Sequence, residues 1–233
     1  MKTLAIVGAG PGLGLSLAKT FGQREYRVAL IARSQEKLDT YVQQLQALHI
    51  EAAGFAADVM NAPQLEAALA RVKETFGPVD MLEYSPLPSW TESDAAPVSV
   101  LDVTPESAIA SLQMSVLGAI TSVKAVLPDM LARGSGTLFF TTGISALIPL
   151  PSLGNFGIAV SGLRNYALNL HEALADRGIY AGTLCIGIRI TKGDLENDPD
   201  HIAARIYEMC EQRDRVEETF PRDIVQAFKR SPA

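Results

Sequence analysis

The feature that most constrains this chain lies at its start. An apolar run at residues 4–7 ends in Gly8-Ala9-Gly10-Pro11-Gly12-Leu13-Gly14, and helical spacing (Leu13, Leu17, Phe21) follows at once. Closely spaced glycines between a strand and a helix let the backbone turn tightly and approach a pyrophosphate, which sits on the helix N-terminus. Gly14 lets that helix pack against the sheet. The bland alternative is a tight turn with no ligand. Spacing and context together favour the nucleotide.

The rest of the chain alternates short apolar runs with amphipathic stretches. Strands are expected at 28–31, 52–57, 79–82, 137–141 and 180–186. Helices are expected after Ser34 (Leu38, Val42, Leu45, Leu48), at 63–76, 105–131 and 157–176, and near 200–212 and 223–228. Alternating elements with fully apolar strands predict a doubly wound parallel sheet with helices on both faces. The 233 residues suit one such α/β domain, a Rossmann fold spanning 1–233. One long irregular segment, about 85–104, carries Pro86, Pro88, Pro97 and the single tryptophan, Trp90. A loop of that length after a strand end is often functional.

Charge narrows the partners. Twenty basic and 26 acidic residues give a net charge of −6, with no basic run. That excludes an electrostatic footprint for nucleic acid or an anionic membrane surface. No apolar stretch approaches the ~18 to 20 residues of a membrane span. The N-terminus lacks a signal peptide's apolar region, and the isolated Cys185 and Cys210 make no disulfide framework. A cytoplasmic location is the expectation.

The second strand ends Ala29-Leu30-Ile31-Ala32-Arg33-Ser34. An acidic residue at this place would hold a free ribose 2′-hydroxyl; an arginine suits a 2′-phosphate. NADP(H) is therefore preferred over NAD(H).

At this point the chain resembles the short-chain dehydrogenase/reductase family over nearly its whole length. Gly8, Gly12 and Gly14 match the family's T-G-x-x-x-G-x-G, with Val7 for threonine. Asp58-Val59 resembles its adenine-contacting D-V step, and Gly118 and Pro128 match its long fourth helix. Gly187 and Thr191 resemble its P-G-x-x-x-T segment at the nicotinamide and pyrophosphate, with Ile186 for proline. Its N-N-A-G is here Tyr84-Ser85-Pro86-Leu87. The cofactor set implied by turn and resemblance is Gly8, Gly10, Pro11, Gly12, Leu13, Gly14, Arg33, Ser34, Asp58, Val59, Ser85, Gly187 and Thr191.

The family's catalytic residues do not carry over. Its asparagine, serine, tyrosine and lysine fall on Ser115, Gly143, Phe156 and Val160. Phenylalanine has no proton to pass, and valine cannot hold a ribose hydroxyl. Residues 151–168 contain no lysine, and their single tyrosine, Tyr166, lies inside the helix, so no one-residue slip restores the pair. Tyr84 and Thr142 are the catalytic candidates, with Ser85, Thr141, Ser145 and Asn155 as further polar groups near the expected nicotinamide.

Other constellations carry less. His49, His171 and His201 lie in separate helical segments without metal spacing, and the acidic stretch 194–200 lacks a calcium loop's pattern. The resemblance implies a lid-like segment at about 188–212 and a homodimer or homotetramer. Two functions stand: an atypical NADP(H)-dependent oxidoreductase on a small organic substrate, or a catalytically inactive nucleotide-binding relative serving as redox sensor or partner subunit. A third, a fold that has lost nucleotide binding, is disfavoured by the glycine turn and Arg33.

Overall fold

A computed structural model describes residues 1–88 and 93–226. Seven strands form one parallel sheet in the order β3-β2-β1-β4-β5-β6-β7. They are β1 (Lys2–Val7), β2 (Tyr26–Ala32), β3 (Ala52–Ala56), β4 (Met81–Tyr84), β5 (Gly136–Gly143), β6 (Ile179–Ile186) and β7 (Glu217–Phe220). The helices are α1 (Leu13–Gly22), α2 (Gln35–Gln46), α3 (Ala62–Phe76), α4 (Pro105–Leu112), α5 (Gly118–Arg133), α6 (Gly154–Leu174) and α7 (Pro199–Gln212). The chain order reverses direction across β1 and β4, the switch point at which open α/β sheets place ligands.

Period-2 alternation divides the core. Ala5, Val7, Leu82, Tyr84, Leu138 and Phe140 pack toward α3, α5 and α6. Leu4, Ile6, Met81, Phe139 and Leu184 pack toward α1, α2 and α7. Caps fix where helices start: the Ser34 hydroxyl accepts from Lys37 N, and Thr104 and Ser107 form a reciprocal capping box ahead of Pro105.

The structure departs from the sequence reading in four places. β7 was not expected; its sequence, Glu-Glu-Thr-Phe, is half-buried throughout and carries no apolar signal. The helix expected at 105–131 is continuous to Arg133 but contains a π-helical turn, Gln113–Leu117. Its length and composition would let it cross a membrane, contrary to the expectation that no stretch approaches that length, yet half of that window is buried within the fold. Of the segment 188–212 expected to be lid-like, 199–212 is α7, a core helix with Ile202, Ala203, Ile206 and Met209 fully buried, and only 188–198 lies outside helix and strand. Trp90 and residues 227–228 of the expected last helix lie outside the described residues; 224–226 are helical.

Candidate functional site

A cleft of about 750 Å³ runs across the C-terminal ends of β1, β2, β4, β5 and β6. That is the size range of small-molecule and cofactor sites. The glycine turn forms one end. Gly8 N and Ala9 N both donate to Ile31 O, at 2.9 and 3.0 Å, which locks the turn to β2.

The four glycines of the turn divide into two kinds. Gly8 has φ +95°, and a Cβ there would stand 2.5 Å from Pro86 Cα. A Cβ on Gly14 would stand 2.9 Å from Ala9 Cα. The fold itself requires these two. No atom lies within 4 Å of where a Cβ would stand on Gly10 or Gly12. That room opens onto the cleft at the N-terminus of α1, so the turn fits a phosphate group.

Of the predicted cofactor residues, Gly8, Gly10, Pro11, Gly12, Leu13, Gly14, Arg33, Asp58, Val59, Ser85 and Gly187 all line this cleft. Arg33 is exposed at its rim and makes no ion pair among the described residues. Two predicted residues fall outside the lining. The Ser34 hydroxyl caps α2, and Thr191 is exposed, with its hydroxyl 3.4 Å from the Arg189 carbonyl.

At the other end, Ser115, Gly143, Phe156 and Val160 converge on one wall of the cleft, as the alignment predicts. They converge without their chemistry. Phe156 and Val160 pack with Ala95, Ala110 and Met114 in a small apolar cluster. A Cβ on Gly143 would stand 3.2 Å from Phe156 Cε1, so the ring closes over the position a serine would use.

The two catalytic candidates, Tyr84 and Thr142, line the cleft, but the hydroxyl of each has a protein partner. Tyr84 is fully buried in the α3–α5 face of the core, and its hydroxyl donates to Met114 O at 2.5 Å. The π-turn frees carbonyls from their regular helical partners, and Tyr84 satisfies one of them. Burial raises its hydroxyl pKa far above the ordinary tyrosine value. The Tyr84 hydroxyl proton is committed to that carbonyl. The Thr142 hydroxyl pairs with Cys185 Sγ at 3.0 Å, and burial pushes that thiol up to about 11. Asn155 is also occupied. It fastens the 93–104 segment, accepting from Val98 N at 2.9 Å and donating to Ala96 O at 2.9 Å and Ser111 Oγ at 3.0 Å.

Ser145 is different. Its hydroxyl is buried, has no hydrogen-bond partner among the described residues, and lines the cleft. It stands 3.7 Å from the point where a Cβ on Gly143 would lie. An unsatisfied buried hydroxyl costs about 1–3 kcal/mol, a cost that a ligand acceptor would relieve.

The sequence reading missed Glu83. It is fully buried in β4 and accepts from Thr141 Oγ1 at 2.8 Å and Ser85 Oγ at 2.9 Å. Desolvation pushes its carboxyl up to about 7, against the opposing effect of the two hydroxyls. A charged residue within an otherwise apolar parallel strand, Met81-Leu82-Glu83-Tyr84, was the available signal.

Comparison with known proteins agrees with this geometry. The family model for short chain dehydrogenase matches residues 2–200. A dehydrogenase/reductase SDR family member 4 of Sus scrofa is 28% identical over 191 residues, 80% of this chain. The chain spans 65% of that relative's length. A ketoacyl reductase of Streptomyces coelicolor, described as putative, is 28% identical over 78% of this chain and 68% of its own. Among solved structures, a putative oxidoreductase of Escherichia coli K-12 superposes with a TM-score of 0.88 at 16% identity, covering 100% of both chains. A variant of actinorhodin polyketide ketoreductase with NADPH gives 0.84 at 21% identity, covering 96% of this chain and 97% of its own. On the family match and the architecture together, this chain belongs to the short chain dehydrogenase family.

Proposed function

We propose that the chain is an atypical NADP(H)-dependent oxidoreductase acting on a small organic substrate without a tyrosine–lysine acid–base pair. The observation that carries this reading is the cleft itself. It runs unbroken from an open glycine turn, past the unpaired Arg33, to the apolar wall of Phe156 and Val160. NADPH accompanies one of the solved neighbours, the actinorhodin ketoreductase variant. A bound nicotinamide would supply hydride. The chain's own residues would seat the pyrophosphate at Gly10 and Gly12 and pair Arg33 with the 2′-phosphate. Phe156, Val160 and Met114 would exclude water from the substrate, and Ser145 would donate to a substrate heteroatom.

Such a wall suits acceptors that need no strong protein acid, such as iminium ions, enones and quinones. Titration of the purified chain with NADPH and with NADH, followed by fluorescence, tests the first half. Tight NADPH binding with weaker NADH is expected; binding of neither would overturn the reading. NADPH oxidation in the presence of those acceptors tests the second half.

A second reading rests on the packed Phe156–Val160 cluster, which replaces both proton-handling positions with side chains that fit one another. It is a nucleotide-binding relative without turnover, acting as redox sensor or partner subunit. NADPH binding with no oxidation across the acceptor set would favour it. Exposed Ile109 and Leu117 on the long helix and Ile158 on α6 support a homo-oligomer, which size-exclusion with light scattering would test. A cytoplasmic location remains the expectation from composition.

A further inference from the structure

Glu83 has no part in the reading above, yet it stands between the cleft and the core. Each of its oxygens takes one hydroxyl: Oε1 from Thr141 and Oε2 from Ser85. Both hydroxyl-bearing residues line the cleft, next to the glycine turn, where Ser85 N also donates to Val7 O at 2.9 Å. No ion pair to Glu83 exists among the described residues. Its strand neighbours in register are Ile6 of β1 and Phe139 of β5. From α7 it faces Cys210, a fully buried thiol whose pKa burial raises well above the ordinary value. Arg213 lies beyond, with its guanidinium on Thr137 Oγ1 and the Cys210 carbonyl.

The protonation state of such a group decides what the two hydroxyls offer the cleft. A carboxylate can only accept. Both hydroxyls then direct their protons inward and present lone pairs to a ligand. A neutral carboxyl carries its own proton and can donate it to one hydroxyl, which frees that hydroxyl's proton to point outward. The oxygens of a dinucleotide are acceptors and carry negative charge, so they favour the second arrangement on both counts.

We infer that Glu83 is a positioning residue of the nucleotide site, taking up a proton from solvent when a dinucleotide binds and so turning the Thr141 or Ser85 hydroxyl into a donor toward it. This rests on the nucleotide reading proposed above. No bond to the nucleotide forms; the proton comes from water or buffer. The bound state holds the Glu83 proton more tightly than the free state. Affinity is therefore level below about pH 7, where the free carboxyl is already neutral. It falls as pH rises above that point, by up to about tenfold per pH unit, the limit for one linked proton.

The test is calorimetric titration of the whole chain with NADPH between pH 7.5 and 9, in two buffers of different ionisation enthalpy. The 2′-phosphate, with a pKa of about 6, is already ionised over that window. The wild type is expected to lose close to about tenfold in affinity between pH 8 and 9 and to take up close to one proton. Glu83→Gln, a permanent neutral mimic, is expected to keep its pH 7.5 affinity throughout, with no uptake. The same pH profile in both proteins, or no uptake by the wild type, overturns the inference while leaving the nucleotide site standing. No NADPH binding at any pH overturns the nucleotide reading, and this inference with it. Infrared difference spectroscopy of the wild type at pH 8 supplies an independent check should Glu83→Gln fail to fold. NADPH should produce a protonated-carboxyl C=O band; its absence counts against the assignment.

Discussion

At the β1–α1 end of the cleft, backbone shape would hold a ligand; at the β5–α6 end, side chains would. The first end keeps every glycine that its geometry uses, two for the fold and two that leave room. The second is lined by an apolar cluster whose members fit one another, with the Phe156 ring over Gly143. Backbone cradles resist revision, because a Cβ at Gly8 or Gly14 collides with main chain. Side-chain chemistry can be rewritten in place as long as volume is conserved.

The sharpest way to break the comparison is Gly12→Val. The new side chain meets no protein atom within 4 Å at its Cβ, so the fold should be retained. NADPH affinity should fall by more than about 100-fold, equivalent to about 2.7 kcal/mol, in the fluorescence titration. Unchanged affinity would mean the glycine end is shaped only for folding.

Glu83→Gln tests what lies beneath both ends. The carboxyl is raised from 4.5 to about 7 in the folded chain. An unfolded chain ionises this group first, so native stability is lost as pH climbs from about 4.5 and levels off above about 7. The integrated loss is about 3 kcal/mol by linkage. Urea denaturation at pH 5 and pH 8 should therefore show the variant gaining on the wild type at the higher pH, by up to that amount. An equal difference at both pH values would place the Glu83 carboxyl in its ordinary range.

Arg33→Asp sharpens the binding end. It should weaken NADPH more than NADH by about 10-fold or more, the worth of a charge-assisted hydrogen bond. Equal loss for both cofactors would remove the 2′-phosphate assignment. The smallest effect is expected at the β5–α6 end. Gly143→Ser presses a Cβ to 3.2 Å from the Phe156 ring and should cost about 1 kcal/mol of thermal stability by overpacking. In a Phe156→Leu background the cost should vanish, as measured by a double-mutant cycle; persistence would show that the two positions are not coupled.

The glycine turn, the parallel alternation and the convergence of residues 115, 143, 156 and 160 were legible because each follows from local pattern or spacing. Which hydroxyls would be free was not. Tyr84 sits at a strand end that suggests a ligand group, but the π-turn at Gln113–Leu117 brings the Met114 carbonyl to its hydroxyl. No periodicity in the sequence announces a π-turn. Thr142 is drawn off by Cys185, 43 positions away, and Asn155 by the segment before α4. Ser145 was among the polar groups expected near the cleft. That its hydroxyl is the one without a partner among the described residues, and that Glu83 lies buried beneath, emerged only once the neighbours of every polar atom were known. β7 stayed hidden for a related reason: Glu217-Glu218-Thr219-Phe220 has no apolar alternation, and its pairing with β6 and its arginine partners appear only in the fold.

That last element has a consequence in ionic strength. The first two residues of β7 point to opposite faces, and each is paired with a different helix. Glu217 takes both arms of Arg164 from α6, at 2.5 and 2.7 Å. Glu218 gathers Arg205 from α7 together with Arg215 and Arg222. The far end of the strand reaches the cleft rim, where Gly187 N donates to Phe220 O at 2.8 Å. Molar salt shortens electrostatic reach to about 3 Å. The exposed Arg222 of this cluster would feel that screening most, and the largely buried Arg205–Glu218 pair least. One rim of the cleft is thus tied to a cluster of ion pairs, while the glycine turn opposite is held by backbone hydrogen bonds.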